Sequence, residues 1–208
     1  MRSLGFDVGT VRAVSWDVDG TLYSSRQVAS LFWTTATKES LRGNLRATWG
    51  AVLEMGRFRR QVERARRNGG RIEPDSARAA LERRWISPLI ESVGPRAGVA
   101  SVLDLFRNRS KVQVALSDFE SDHKLASLGL SHYFDSVYSG ERIGYLKPSP
   151  EPFRKVLRDL DLPPCELLHV GDRPDTDGAG AAAAGCQVLV LGRDFRSFPE
   201  LLKILTAS

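Results

Sequence analysis

Apolar residues in this chain fall into short runs whose spacing changes twice between its ends. Val11 to Asp17 carries Val11, Ala13, Val14 and Trp16 and reads as a short buried strand. From about Val28 to Glu91 the period becomes helical. Leu41, Leu45 and Trp49 recur at that spacing, as do Met55, Phe58, Val62 and Ala65, and then Ala77, Leu81 and Trp85. Gly50, the Gly69-Gly70 pair and Pro74 punctuate the runs, and Pro74 with Asp75 and Ser76 suits a helix start. The segment predicts an insertion of three or four helices.

At Gly94-Pro95 the pattern changes again, and helices alternate with strands. Val99, Val102, Leu103 and Phe106 mark a helix, and Val112 to Leu116 a buried strand. Leu125 and Leu128 belong to a helix, with a strand expected from Phe134 to Tyr138. Phe153, Val156, Leu157 and Leu160 mark a helix begun at Pro150, and Leu167 to Val170 a strand. A small-residue helix is expected from Asp175 to Ala184, and a last strand from Gln187 to Leu191. Such alternation implies an α/β fold: a Rossmann-like parallel sheet with helices on both faces. The expected division is a core of residues 11–24 and 95–208, a helical insertion over 25–94, and an N-terminal extension over 1–10.

Composition narrows the class. With 208 residues, 42% hydrophobic and 26% charged, the chain has the balance of an ordinary soluble domain. No apolar run approaches the roughly 20 residues that span a bilayer, and no signal-peptide pattern opens the sequence. Two cysteines, Cys165 and Cys186, make no disulfide framework, so a reduced, cytoplasmic protein is expected. The net charge of +5 is local: six arginines crowd Arg57 to Arg67 against the single acid Glu63. That density could attract anions. A solvated helix face is the expected reading, with no nucleic-acid partner.

Candidate chemistry collects at the strand ends. Asp17-Val18-Asp19-Gly20-Thr21 places two carboxylates one residue apart after the first strand, where parallel sheets hold their ligands. One carboxylate can attack phosphorus and the other can move a proton. Ser117-Asp118 follows the second strand with a hydroxyl and amides suited to an anion. Lys147 stands before Pro148, and Asp172 and Asp177 follow the strand ending at Gly171. Asp17, Asp172 and Asp177 together offer the hard oxygen ligands that Mg²⁺ prefers. Singly, each has a structural explanation as turn former, N-cap or loop charge.

Taken in order, Asp17-Val18-Asp19-Gly20-Thr21, Ser117, Lys147-Pro148 and Gly171-Asp172 with Asp177 resemble the motifs of the haloacid dehalogenase (HAD) superfamily of phosphohydrolases. Pro95-Arg96-Ala97-Gly98-Val99, Lys147-Pro148-Ser149-Pro150-Glu151-Pro152-Phe153 and the run from Asp177 to Gly185 extend the likeness. The resemblance implies a Mg²⁺-dependent phosphatase acting on a small phosphorylated metabolite through an aspartyl-phosphate. It makes residues 25–94 a helical cap. Asp17 would be nucleophile and metal ligand, and Asp19 the general acid/base, lending the metal its main-chain carbonyl. Thr21, Ser117, Asp118 and Lys147 would bind phosphate, and Asp172 and Asp177 would serve the metal. Asp175 is a further acid in that loop, but Asp177 matches better. Asp118 departs from the pattern, since many relatives carry asparagine there.

Asp19 argues against a dehalogenase, which lacks that acid. A phosphomutase keeps both aspartates and stands as the alternative, and a binding protein on an inactive scaffold as a third reading. Met1 to Thr10, with Asp7 and the following Arg12, also looks like the opening of a ribonuclease-H-like nuclease, in which Asp7 would ligate metal.

Overall fold

A computed structural model describes residues 9–207; Asp7, on which the nuclease likeness rests, lies outside them. Strands β1 (Ala13–Trp16), β2 (Val112–Ser117), β3 (Ser136–Ser139), β4 (Leu167–Gly171) and β5 (Gln187–Val190) form one parallel sheet in the order β3-β2-β1-β4-β5. The chain leaves central β1 for β2 on one side and later crosses to β4 on the other. That reversal opens a crevice at the carboxyl ends of β1, β2 and β4.

Among the described residues, ten α-helices connect and flank the strands: α1 (Ser25–Leu41), α2 (Leu45–Arg67), α3 (Ser76–Leu81), α4 (Ser87–Val93), α5 (Val99–Asn108), α6 (Asp122–Ser127), α7 (Gly140–Ile143), α8 (Glu151–Leu160), α9 (Ala179–Ala183) and α10 (Phe198–Ala207). Side chains alternate across a strand, so β1 feeds two cores. Val14 and Trp16 pack with Val102 and Phe106 of α5 and with Leu201 and Leu205 of α10. Ala13 packs on the other side with Phe153 and Val156 of α8 and Ala181 of α9. Every residue of β1 and β4 is buried, and each strand is apolar except for one residue, Ser15 and His169, which pair with each other. Helix α10 lies beyond the elements that the pattern of spacing marked.

Two expectations about the insertion are corrected. Leu41, Leu45 and Trp49 form no single stripe: α1 ends at Leu41, Gly43 turns the chain at φ +91°, and α2 begins at Leu45. Leu41 and Trp49 stay exposed, and Gly50 lies inside α2. Only a residue without Cβ adopts that φ freely, so Gly43 rather than Gly50 is the break. In α3, Ala77 is exposed and Arg78 buried, because Glu82 and Glu141 pair with its guanidinium. The helix start proposed at Asp75 holds, its carboxylate accepting the main-chain N–H of Ala77 and Arg78.

The insertion is tied to the rest of the chain at both ends. Val28 of α1 and Ile90 of α4 belong to the core cluster around Trp16. Val62 and Ala65 of α2 meet Phe119 and Leu146 in a smaller one. Among the described residues no helix is long and apolar enough to cross a membrane.

Candidate active site

Asp17 follows β1 directly, its N–H donating to the Val170 carbonyl of β4 at 2.9 Å. One carboxylate oxygen accepts from Lys147 Nζ at 2.6 Å and the other from the Thr21 hydroxyl at 2.8 Å. Lys147 Nζ also lies 2.6 Å from Asp177 Oδ1 and donates to the Leu116 carbonyl at 3.1 Å. Asp177 is further held by the Arg173 N–H at 3.0 Å and lies 3.3 Å from His169 Nε2. His169, fully buried, meets the Ser15 hydroxyl through Nδ1 at 2.9 Å.

Asp172 completes the group. Ligand oxygens of Asp17, Asp172 and Asp177 all lie within 4.8 Å of one another. Gly20 permits this approach, because a Cβ there would collide with the Asp172 carboxylate. Arg96 fixes the same turn, donating to the Gly20 carbonyl at 2.8 and 3.2 Å.

The electrostatics show a deficit of positive charge. Burial raises the Asp17 carboxyl well above the usual carboxylate range, and Asp177 and Asp172 add to the shift against the pull of Lys147. Burial and Asp177 likewise raise Asp172. Burial opposes the charged form of Asp177 too, but Lys147 and His169 outweigh it and lower that pKa. Burial would deprotonate Lys147, yet Asp17, Asp177 and Asp118 together hold it firmly protonated. One lysine among three carboxylates leaves room for a cation. Among the described residues Asp172 Oδ1 has no hydrogen-bond partner although it is buried, an orphan that a hard divalent ion would satisfy. The donor set therefore fits Mg²⁺.

Asp19 points elsewhere. Lys124 Nζ grips both its carboxylate oxygens at 2.9 and 2.7 Å, the Tyr23 hydroxyl donates to it, and Ser117 Oγ lies 3.4 Å away. Burial would raise its pKa, but the Lys124 charge and these hydrogen bonds prevail and lower it. Ser117, buried at the end of β2, also accepts from the Phe119 N–H at 3.4 Å. Asp118 turns its carboxylate to the Lys147 N–H at 2.8 Å and to Arg66 of α2 at 2.9 Å. Asp175, by contrast, is exposed and paired with Arg173.

Sequence reasoning missed Lys124, Tyr23, His169 and Arg66 as partners of the site. Tyr23 follows Asp19 by four residues, and Lys124 sits beside the inward Leu125, so weak signals existed. Arg66 had none: Arg57, Arg60, Arg64 and Arg67 recur at helical spacing and are exposed, Arg59 is exposed beside Glu63, and of the six arginines Arg66 is the one that pairs with Asp118 of the core.

A family model for haloacid dehalogenase-like hydrolases matches residues 11–185. A glyceraldehyde 3-phosphate phosphatase of Methanopyrus kandleri is 28% identical over 84% of this chain and 81% of its own length. A phosphoglycolate phosphatase of Pectobacterium atrosepticum is 31% identical over 87% of this chain and 80% of its own. In fold, the structure is similar to a putative HAD-hydrolase of Bacillus subtilis solved bound to magnesium. The TM-score is 0.67 at 18% identity, covering 94% of this chain and 99% of that one.

Proposed function

The chain belongs to the haloacid dehalogenase-like hydrolases, and we propose that it is a Mg²⁺-dependent phosphatase of small phosphomonoesters, working through an aspartyl-phosphate on Asp17. The convergence of Asp17, Asp172 and Asp177, with Lys147 paired to the first and the last, carries this reading. The phosphatases among its relatives favour simple hydrolysis over phosphomutase chemistry.

In the first step a carboxylate oxygen of Asp17 bonds to phosphorus. The bond from phosphorus to the ester oxygen breaks, its electron pair leaves with that oxygen, and protonated Asp19 supplies the proton. In the second, Asp19 takes a proton from water, the water oxygen bonds to phosphorus, and Asp17 leaves with its electron pair. Inorganic phosphate departs and both aspartates are restored. The grip of Lys124 on Asp19 favours the ionised form that the second step requires.

Lys147, the Ser117 and Thr21 hydroxyls and the main chain at Asp118 are the proposed phosphate contacts, the Asp118 carboxylate being engaged by Arg66 and the Lys147 N–H. Asp17, Asp172 and the Asp19 carbonyl would hold Mg²⁺, with Asp177 supporting. When bound, the ion would neutralise the charge that builds between carboxylate and phosphate. Residues 25–94 act as the cap in this reading, supported by the Arg66–Asp118 pair that joins α2 to the core. Two unpaired cysteines suit a cytoplasmic setting.

Hydrolysis of p-nitrophenyl phosphate by the purified protein with Mg²⁺ is the test. Asp17→Asn should keep the parent circular dichroism and lose turnover, since an amide does not attack phosphorus usefully. Parent-like turnover by Asp17→Asn would sink the mechanism.

A further inference from the structure

Beside Asp19 a cavity of about 590 Å³ opens between the helical insertion and the core, within the range of small-molecule sites. Met55, Phe58, Leu81, Ile86 and Phe119 supply its apolar wall. The Phe58 and Phe119 rings stand edge to face, 4.8 Å between centroids. Lys124 and the Asp19 carboxylate form the end nearest the proposed chemistry.

The charges lining this cavity decide what enters it. Three cations, Arg57, Arg78 and Lys124, face four acids, Asp19, Glu54, Asp75 and Glu82. Each cation is already paired: Arg57 with Glu54 at 2.7 Å, Arg78 with Glu82 at 3.0 Å and with Glu141, and Lys124 with Asp19 at 2.7 Å. A substrate carboxylate placed here would lose its water, meet an excess of negative charge and find no unpaired cation among the lining residues. An uncharged ring would displace water from the apolar wall and pack against the two phenylalanines. The Gln61 amide, also in the lining, can bond a hydroxyl or carbonyl on such a ring without adding charge.

We infer, resting on the phosphatase reading above, that the substrate is a phosphomonoester of an uncharged alcohol bearing an aromatic or heteroaromatic ring. Benzyl phosphate and nucleoside 5′-monophosphates have this form. Phosphorylated carboxylic acids such as phosphoglycolate and phosphoserine are disfavoured.

The test compares kcat/KM of the full chain with Mg²⁺ for benzyl phosphate, uridine 5′-monophosphate, phosphoglycolate and phosphoserine. All four leave as alkyl alcohols, so binding rather than bond lability separates them. Acetyl phosphate, too small to fill the cavity, reports the phosphatase chemistry alone. At least one ring ester should exceed both acids by about tenfold or more, the scale on which pocket contacts discriminate. Filling the cavity with Met55→Trp, or with Leu81→Trp as a second variant, should cut the benzyl-to-acetyl ratio by about tenfold. Acids that match or surpass both ring esters, with acetyl phosphate hydrolysed, would overturn the inference and leave the phosphatase reading intact. So would a benzyl-to-acetyl ratio that neither variant moves. Failure to hydrolyse any of the five would overturn both.

Discussion

Neutralising Asp172 should make the metal-free protein more stable and the metal-loaded protein less so. Its Oδ1 is buried without a partner among the described residues, and burial with Asp177 raises its pKa. For an acid whose folded pKa is raised, stability falls as pH climbs from the unfolded value through the folded one, and the cost is that of holding the ionised carboxylate in this site. A buried polar group left unpaired costs roughly 1–3 kcal/mol; since part of this side chain remains in contact with water, removing its charge in Asp172→Asn should gain about 0.5–1 kcal/mol. For a chain of this length that is roughly 1–4 °C in Tm. Mg²⁺ at about 100 times its Kd should raise the parent by about 2.7 kcal/mol, or roughly 5–10 °C, and the variant by much less. Thermal unfolding at pH 7 in EDTA and across a Mg²⁺ titration reads both effects. A variant less stable than the parent in EDTA, or one with an undiminished Mg²⁺ shift, would refute the account of this carboxylate.

Three further outcomes follow from the contacts. Asp19→Asn should slow hydrolysis of alkyl phosphates by roughly 10²–10⁴-fold and of acetyl phosphate much less, because its leaving group needs no proton; equal losses would remove Asp19 from the acid role. Lys124→Met should cost about 1–3 kcal/mol in urea unfolding, below the range for a fully buried pair because Asp19 keeps partial exposure. It should also move the alkaline limb of the kcat/KM profile upward, because Asp19 must be protonated in the first step and the group that lowers its pKa is lost; an unmoved limb would count against the contact. Arg66→Ala and Asp118→Asn should be non-additive by about 0.5–1.5 kcal/mol in a double-mutant cycle, whereas strict additivity would show that their 2.9 Å pair contributes nothing in solution.

The strands of a parallel sheet and the acids at their ends were legible in the chain, whereas the strand order was not. Strands buried on both faces are mostly apolar, so Ala13 to Trp16 and Leu167 to Val170 stood out although each carries one polar residue, Ser15 and His169. Since parallel strands all end on one side, Asp17, Ser117 and Asp172 had to converge once those runs were strands. Local chemistry also marked the Asp75 helix start. Which helix faces met the core was settled instead by how the elements dock. Helical spacing assigned Trp49 and Leu41 to a packed stripe and left Arg78 outside one, yet Arg78 is buried by Glu82 and Glu141, from separate elements, while Trp49 stays in water. The pairings of Lys124 with Asp19 and Arg66 with Asp118 span 105 and 52 residues. A charged side chain carries no periodic signature of its partner, because the partner is set by the packing of elements distant in the chain.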